Sequence, residues 1–220
     1  MRESYPNIGF QQLDALSSLH VGVDHSLRQM KEDLNERYQR RGVEVSPLDS
    51  LAGAVRAAIT GEVIRLLPGE YRLPNALTLD KEVTIEAIGR VRITCDGNAF
   101  NITGAYVTLR GLHFKQTGTT ATETLDIQAS HCSIEACTFE GAQQNAVLID
   151  ADYCRVMMCR FVDDISHGVF ADIYYDDGAD YGIAVGNKWS STRTYVLSYM
   201  TGTNLSEAAN GPAATIDVRP

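Results

Sequence analysis

Aspartate side chains are concentrated in residues 150–177, where their spacing could support carbohydrate chemistry. Hydrolysis of a glycosidic bond needs two carboxyl groups about 5 to 9.5 Å apart. If the chain is an enzyme, the catalytic candidates are Asp150, Asp163, Asp164 and Asp172. Because Asp-rich turns commonly bond to their own backbone and no hydrolase or lyase motif surrounds these residues, we expect no enzymatic activity. We likewise expect no cofactor and no metal ion.

Tyrosines occur in the same part of the chain, close to some of these aspartates. Tyrosine rings can stack on sugar rings, and nearby carboxylates can accept hydrogen bonds from sugar hydroxyls. The candidate residues of a carbohydrate-binding site are Tyr153, Tyr174, Tyr175, Tyr181, Asp176 and Asp177. The competing interpretation places these tyrosines in a subunit interface or in the core.

A repeated phrase indicates the fold that must position these residues. It ends in an aromatic residue at Phe114, Phe139, Phe161 and Trp189, with 22 to 28 positions between successive members. This length is typical of one coil of a parallel β-helix, in which each coil buries its apolar side chains only by stacking on the next. The repeat therefore predicts a β-solenoid.

Alternation along the predicted strands separates inward from outward residues. The predicted inward pairs are Phe100/Ile102, Leu125/Ile127, Val147/Ile149 and Val169/Ala171. The predicted outward columns are Asn101, Asp126, Leu148 and Phe170, followed by Thr103, Gln128, Asp150 and Asp172. Two apolar residues in an outward column, Leu148 and Phe170, favour a subunit contact or a ligand platform, unless a loop covers them. Stacked Asp150 and Asp172 would repel each other.

The five cysteines are an odd number, and four of them occupy equivalent places in successive repeats. Neighbouring coils lie about 4.8 Å apart, which is within disulfide range. We nevertheless expect buried, reduced thiols that pack as small apolar side chains.

The N-terminal region has an a/d heptad pattern. Its spaced residues are Leu13, Leu16, His20, Val23, Leu27, Met30 and Leu34, with Arg37 at the next place. The pattern predicts a helix that self-associates as a coiled coil, or one that packs on another surface. A second, shorter helix is expected after it, with Ser46 as its N-cap and Pro47 in its first turn.

Residues 51–58 (LAGAVRAA) and 61–71 (GEVIRLLPGEY), followed by short alternating runs, resemble the start of the pectin-lyase-like right-handed parallel β-helix superfamily. The resemblance implies a mainly β protein with about five coils and a short capping helix. The predicted divisions are residues 1–45 as an N-terminal helical anchor and linker, 46–60 as the capping helix, 61–189 as the β-helix and 190–220 as a C-terminal closing segment. The two strand-like runs in 190–220 could close the solenoid or pair between subunits.

Charge and hydropathy exclude several partners. A net charge of −9 and a pI near 5.0 argue against nucleic acid, which needs a basic face. No apolar stretch is long enough to insert in a membrane, and the N-terminus does not resemble a signal peptide. We therefore expect synthesis in a cytoplasm.

The layout of helical anchor, linker and short β-helix resembles non-catalytic phage fibre and spike proteins. This resemblance implies a virion component, a tail or head spike, fibre or decoration protein, made in the host cytoplasm. Its expected partners are two further copies in a homotrimer, other virion proteins through residues 1–45, and a host surface polysaccharide. The alternatives are a polysaccharide lyase or glycoside hydrolase of the same fold, and a freestanding carbohydrate-binding module.

Overall fold

The computed structural model of the chain describes residues 42–119, 121–162, 172–177 and 179–189, together with the backbone of three strands within 198–218. The heptad residues from Leu13 to Leu34 lie outside the described residues, as do Asp163, Asp164 and Phe170.

The described chain consists mainly of short strands in three parallel sheets. Sheet A contains β1 (Val43–Val45), β2 (Glu62–Leu66), β5 (Val83–Ala87), β8 (Thr108–Arg110), β11 (Ser133–Glu135), β14 (Arg155–Met157), β17 (Ile183–Val185) and β20 (Ser206–Ala208). Sheet B contains β3 (Gly69–Leu73), β6 (Val91–Cys95), β9 (His113–Gln116), β12 (Thr138–Glu140), β15 (Arg160–Val162) and β18 (Lys188–Trp189). Sheet C contains β4 (Leu77–Leu79), β7 (Phe100–Ile102), β10 (Leu125–Ile127), β13 (Val147–Ile149), β16 (Ile173–Tyr175), β19 (Ser198–Met200) and β21 (Ile216–Val218).

The chain visits the sheets in the order A, B, C and then returns to sheet A, so that each circuit adds one coil. Six complete coils run from β2 to β19, one more than the sequence indicated. Strands β19, β20 and β21 continue the parallel pairing of sheets C and A, so the last strand-like runs pair within the solenoid of their own chain. The predicted parallel β-helix is confirmed.

The interior is built from columns of equivalent side chains. The rings of Phe114, Phe139, Phe161 and Trp189 stack in sequence, with centroids 5.2, 5.2 and 5.3 Å apart. Phe100 meets Phe114 edge to face at 5.8 Å. The aromatic residues that mark the sequence repeat are therefore the stacked centre of the core.

Helix α1 (Leu51–Ala57) lies at the N-terminal end of the solenoid, next to β1, and buries Leu51 and Val55. Its N-cap is Ser50, whose hydroxyl accepts a hydrogen bond from the Gly53 N–H at 3.0 Å. The predicted cap at Ser46 is wrong: Ser46 donates through its N–H and its hydroxyl to the Asp49 carboxylate, which makes a separate turn. No helix among the described residues has the length and apolarity needed to cross a membrane.

Tyr71, the last residue of the segment 61–71 that resembles the β-helix superfamily, fixes the turn into sheet B. The buried Tyr71 hydroxyl lies 2.6 Å from the Val45 carbonyl oxygen and 2.8 Å from the Leu67 carbonyl oxygen, and its one hydrogen is shared between them, which joins β1 to the first coil. Gly69 has φ of 147°, and a Cβ there would collide with the Pro47 ring. Glycine at position 69 therefore avoids a steric collision, and tyrosine at position 71 supplies a buried hydrogen bond.

One predicted register is wrong. Val147 pairs with Ile173 and Ile149 with Tyr175, so Ile173 and Tyr175 take the inward positions that were predicted for Val169 and Ala171. The connection before β16 (residues 163–172) is longer than the one before β13 (residues 141–146), which displaces the strand along the sequence.

The displacement changes three outward assignments. Tyr174 takes the place next to Leu148 that was predicted for Phe170. Asp176 follows the strand as Asp150 does one coil earlier, since their N–H groups bond to Ile149 and Ile127 in equivalent ways. Asp172 instead precedes the strand and is buried, so Asp150 and Asp172 do not stack.

All five cysteines are buried and none forms a disulfide, as expected for packed thiols. Burial raises the pKa of the Cys95 thiol to about 12. This thiol therefore stays protonated near neutral pH and packs as an apolar group.

Replacing Phe139 tests the interior stack. We expect Phe139→Ala to lower the free energy of unfolding by about 3–5 kcal/mol, because it leaves a cavity between Phe114 and Phe161. Urea unfolding followed by circular dichroism measures it. Met158→Ala is the control: Met158 is 76% exposed, so its loss should cost under about 0.5 kcal/mol. Equal effects of the two changes would contradict the stacked core.

Candidate functional site

The outward face of sheet C brings together several residues that the sequence singled out. The register places Asn101, Asp126, Leu148 and Tyr174 in one column of partly exposed side chains. The next column, in the turns that follow these strands, is Thr103, Gln128, Asp150 and Asp176. We call these two columns the sheet C strip. Leu148 beside Tyr174 gives the strip an apolar patch bordered by carboxylates.

Two carboxylates of the strip, those of Asp126 and Asp176, accept local hydrogen bonds. Gln128 Nε2 donates to Asp126 Oδ2 at 2.7 Å. Asp176 Oδ1 accepts from the Asp177 N–H at 2.9 Å and lies 3.5 Å from the Tyr174 hydroxyl. Among the described residues, no lysine or arginine forms an ion pair with these groups. They remain available to accept hydrogen bonds from hydroxyl groups of a ligand.

A second surface feature lies at the turns from sheet C to sheet A. The rings of Tyr106, His131, Tyr153 and Tyr181 stack on one another, with centroids 4.8, 4.9 and 4.8 Å apart and planes within 5°. We call this column the aromatic ladder. Its three tyrosines are 56%, 45% and 46% exposed. All four residues have φ between 57° and 63°, the left-handed region in which Cβ is crowded.

The ladder changes the sequence-based hypothesis for Tyr153. Both of its ring faces are covered, by His131 and by Tyr181, so a sugar ring cannot stack on it. Only the ring edge and the hydroxyl face solvent.

Tyr175 does not belong to a surface site. Its side chain is fully buried, and its hydroxyl donates to the Ile183 carbonyl at 2.9 Å. Its assignment to a sugar-binding surface is wrong, because β16 directs residue 174 outward and residue 175 inward. Of the six predicted sugar-binding residues, Tyr174 and Asp176 lie in the sheet C strip, and Asp177 follows Asp176 directly.

The turns that carry the ladder are tied by aspartates. The Asp152 side chain accepts the Asp180 N–H at 2.9 Å, and its carbonyl accepts the His131 N–H at 3.0 Å. The Tyr153 N–H donates to the Asp180 carbonyl at 2.8 Å. These bonds hold successive turns in the same shape, which keeps the rings parallel.

No protein-family model matches the sequence, and no curated protein matches it. Among solved structures, the chain is similar to pectate lyase Pel9A at 18% identity, with a TM-score of 0.62 over 77% of this chain and 54% of that one. The chain has the pectin-lyase-like parallel β-helix fold. The fold is the extent of what this likeness shows, since the identity is low.

Two other solved structures are similar at lower scores. They are the PL6 family polysaccharide lyase Pedsa3628 from Pseudopedobacter saltans, at 14% identity and TM-score 0.48, and a mannuronic acid specific family 6 lyase from human gut microbiota, at 13% and 0.44. The chain spans about half the length of these two structures, since it covers 52% of each. Among its described residues, no three His, Cys, Asp or Glu side chains lie close enough to hold a metal ion.

Asp172 lies inside this β-helix rather than in a surface site. It is 3% exposed, and burial raises the pKa of its carboxyl group to about 7, with a partial opposing effect from the Trp189 side chain. A carboxyl group in this position cannot meet a polysaccharide on the outer face. The predicted pairing of Asp172 with other catalytic candidates is therefore wrong.

Sequence reasoning missed two members of the ladder, Tyr106 and His131. The signal was present, because each ladder residue stands eight positions before an aromatic residue of the repeat. Extending the repeat alignment toward the N-terminus would have found the column. A glycine would have indicated a positive φ at these positions, but a tyrosine or histidine does not, so the outward direction of the rings could not be predicted.

Asp172→Asn tests the buried carboxyl group. The folded state holds this proton up to about pH 7, whereas the ordinary pKa is 3.8, so stability should fall as pH rises from about 4 to 7 and then level off. We expect Asp172→Asn to remove this fall, which should amount to a few kcal/mol. Thermal unfolding from pH 5 to 8 measures it. Asp150→Asn, at an exposed position, should keep the wild-type slope; an unchanged slope in Asp172→Asn would contradict the assignment.

Proposed function

We propose that this chain is a structural component of a virion, a fibre, a tail or head spike or a decoration protein, made in the host cytoplasm. In this role the chain forms a homotrimer. Residues 1–45 dock on other virion proteins, and the β-helix projects outward and contacts a host surface polysaccharide.

The observation that carries the proposal is a heptad segment directly before a capped β-helix. In a helix, the a and d positions from Leu13 to Leu34 would line up as a narrow apolar seam, which a lone helix could not bury. Other copies of the same helix would bury it. The six coils make a rod of about 29 Å at about 4.8 Å per coil, with like residues aligned along its length. An anchored rod of this kind suits projection from a particle.

The sheet C strip is the surface that we assign to polysaccharide contact. Tyr174 and Leu148 supply an apolar patch, and Asp126, Asp150 and Asp176 supply hydroxyl acceptors beside it. The comparison protein named a pectate lyase belongs to the same fold, which supports carbohydrate as the ligand class. Because the strip carries carboxylates and the chain has a net charge of −9, electrostatics favour a neutral polysaccharide over an anionic one.

A polysaccharide lyase is the second candidate, supported by the likeness to pectate lyase. It would place the reaction on the same strip, with Asp150 as its exposed carboxylate. Release of unsaturated sugars from polygalacturonate, seen by ultraviolet absorbance and lost in Asp150→Asn, would favour this candidate over a structural role.

Charge introduced into the heptad seam tests assembly. We expect Leu27→Asp with Leu34→Asp to convert a trimer to monomers, because two carboxylates per helix would be buried in the seam. Light scattering gives the absolute mass. The matched control is Gln29→Asp with Gln39→Asp, which adds the same charge outside the seam and should leave the trimer intact. A monomeric wild-type chain, or a trimer that survives both double changes, would contradict the proposal.

Tyr174→Ala tests the polysaccharide surface. We expect it to weaken binding to a neutral bacterial surface polysaccharide about tenfold, which corresponds to about 1.4 kcal/mol. Binding is measured by calorimetry against purified neutral and uronate-containing polysaccharides. Tyr153→Ala is the control, since the faces of that ring are already covered. Equal losses in both variants, or no binding by the wild type, would contradict this use of the strip.

A further inference from the structure

We propose that the outward face of sheet B binds an anionic polysaccharide, a sugar polymer that carries carboxylate or phosphate groups. This surface is separate from the sheet C strip, since it lies on another sheet and has the opposite charge. The inference does not depend on the oligomer, because every residue of the surface belongs to one chain.

The outward face of sheet B carries a row of polar side chains with basic ends. The register aligns Arg92, His113, Thr138, Arg160 and Lys188 on neighbouring strands. We call this row the basic row. It runs over five coils, so its ends stand about 19 Å apart at about 4.8 Å per coil. A surface of this length fits a stretch of polymer better than a small anion.

The charge of this face differs from that of the whole chain. Its outward positions hold five cations and two carboxylates, in a chain with a net charge of −9. The cations are Arg72, Arg92, Lys115, Arg160 and Lys188, and the carboxylates are Glu70 and Glu140. This local excess of positive charge would attract a polyanion that the rest of the surface repels.

Three of the five cations have no acidic partner in the part of the chain that the structure describes. The other two pair within the chain, Lys115 with Glu140 at 2.6 Å and Arg72 with Asp96 at 3.7 Å. The three that form no such ion pair are Arg92, Arg160 and Lys188. Their charges are therefore available to the acid groups of a ligand.

Arg160 and Lys188 are directly opposite each other in the parallel pairing of β15 and β18. Like charges in this position repel each other and destabilise the sheet. Sheet A avoids the same cost by alternation, since Arg65, Glu86 and Arg110 pair along one column. On sheet B, an acid group of a ligand between the two cations would replace this repulsion by attraction.

The middle of the basic row is uncharged and suits sugar hydroxyls. Burial lowers the pKa of the His113 imidazole, and hydrogen bonding to Glu140 opposes this effect in part. His113 is therefore neutral near pH 7, and Thr138 beside it carries a hydroxyl. A neutral imidazole and a hydroxyl can each donate and accept hydrogen bonds, which matches the hydroxyls of a sugar.

A cleft of about 350 Å³ opens beside this uncharged middle. It lies between the loops that follow β9 and β12, and its polar walls include Lys115, Glu140, Thr119 and Gln143. Glu140 joins the cleft to the row, because it bonds to His113 Nε2 at 2.9 Å. A sugar ring that lies along the row can place its hydroxyls in this cleft.

Hydrogen bonds fix the shape of the cleft. Gln116 lines it and is 3% exposed, and its Oε1 atom accepts from the Gln143 N–H at 3.0 Å and from the Thr124 hydroxyl at 3.1 Å. The Thr117 hydroxyl donates to the Asp96 carboxylate at 3.0 Å, which ties one wall to the previous coil. A cleft that is already formed loses little conformational entropy when a ligand binds.

The chemistry of this face favours a polysaccharide over a protein or a nucleic acid. Among its described outward positions, Val162 is the one apolar residue, whereas the centre of a protein interface is rich in aromatic and apolar side chains. Duplex DNA carries one charge per about 1.7 Å and needs a denser basic surface than three available cations over five coils. A polysaccharide with widely spaced acid groups matches both the charged ends and the hydroxyl-binding middle.

Removing two charges of the basic row tests the inference. We expect Arg160→Gln with Lys188→Gln to weaken binding to the acidic polymer about tenfold, because two exposed ion pairs are lost. The probes are polygalacturonate for carboxylate and phosphorylated dextran for phosphate, each compared with its uncharged form, which should bind at least about tenfold more weakly. Calorimetry at low ionic strength measures binding, and circular dichroism checks the fold. The matched control is Arg56→Gln with Arg155→Gln, which removes two exposed arginines elsewhere and should bind as the wild type does.

Gln143→Ala tests the cleft. We expect it to weaken binding of the same polymer about threefold, because a wall group that can bond to sugar hydroxyls is lost. Gln144→Ala is the control, since this neighbouring residue does not line the cleft. Equal losses in the two variants would overturn the role of the cleft.

The outcomes separate this inference from the proposed function. Tyr174→Ala should leave binding of the acidic polymer unchanged, and the basic row variant should leave binding of a neutral polysaccharide unchanged. A wild type that binds neither acidic polymer, or an equal loss in the arginine control or in Tyr174→Ala, would overturn the inference alone. Tighter binding of duplex DNA through the same cations would overturn it and assign the row to nucleic acid. A monomeric wild type that still binds the polymer would contradict the trimer and support this inference.

Discussion

In-register parallel stacking of coils is the interaction on which the rest of this structure depends. Each strand pairs with its counterpart one coil away, so each side chain lies beside the equivalent side chain at about 4.8 Å. Apolar columns gain from this arrangement, as the stack from Phe114 to Trp189 does. Charged columns gain only if the sign alternates, as in the Arg65–Glu86 and Arg110–Glu135 pairs at 3.0 and 2.9 Å.

Stacking also turns single residues into surfaces. The two columns of the sheet C strip and the aromatic ladder are each one position of the coil repeated along the rod. Each would contact an extended ligand or another rod more readily than a small molecule, because its chemistry continues over several coils. This property links the fold to the proposed contact with a polysaccharide.

The fold and most of the core could be predicted from the sequence, because a repeat of inward apolar residues describes its own stacking. Phe114, Phe139 and Phe161 mark the repeat in the sequence, and in the structure their rings stack on one another. The site was predicted less well. Tyr175 and Asp172 were placed on the surface, because the register of β16 depends on the length of the connection before it. The eight-residue spacing that relates Tyr106 and His131 to the repeat is present in the sequence, but the left-handed backbone that directs their rings outward is not.

The sequence by itself determined that this chain forms a parallel β-helix, since its repeat length and alternation have few other ways to bury apolar side chains. It also determined which columns are apolar and that a capping helix precedes the first coil. Only the tertiary structure decided which ring faces are covered and which carboxyl group is buried. It likewise decided which cations lie in one row. These properties arise between coils, at distances set by pairing across residues 20 or more positions apart, and local sequence does not specify them.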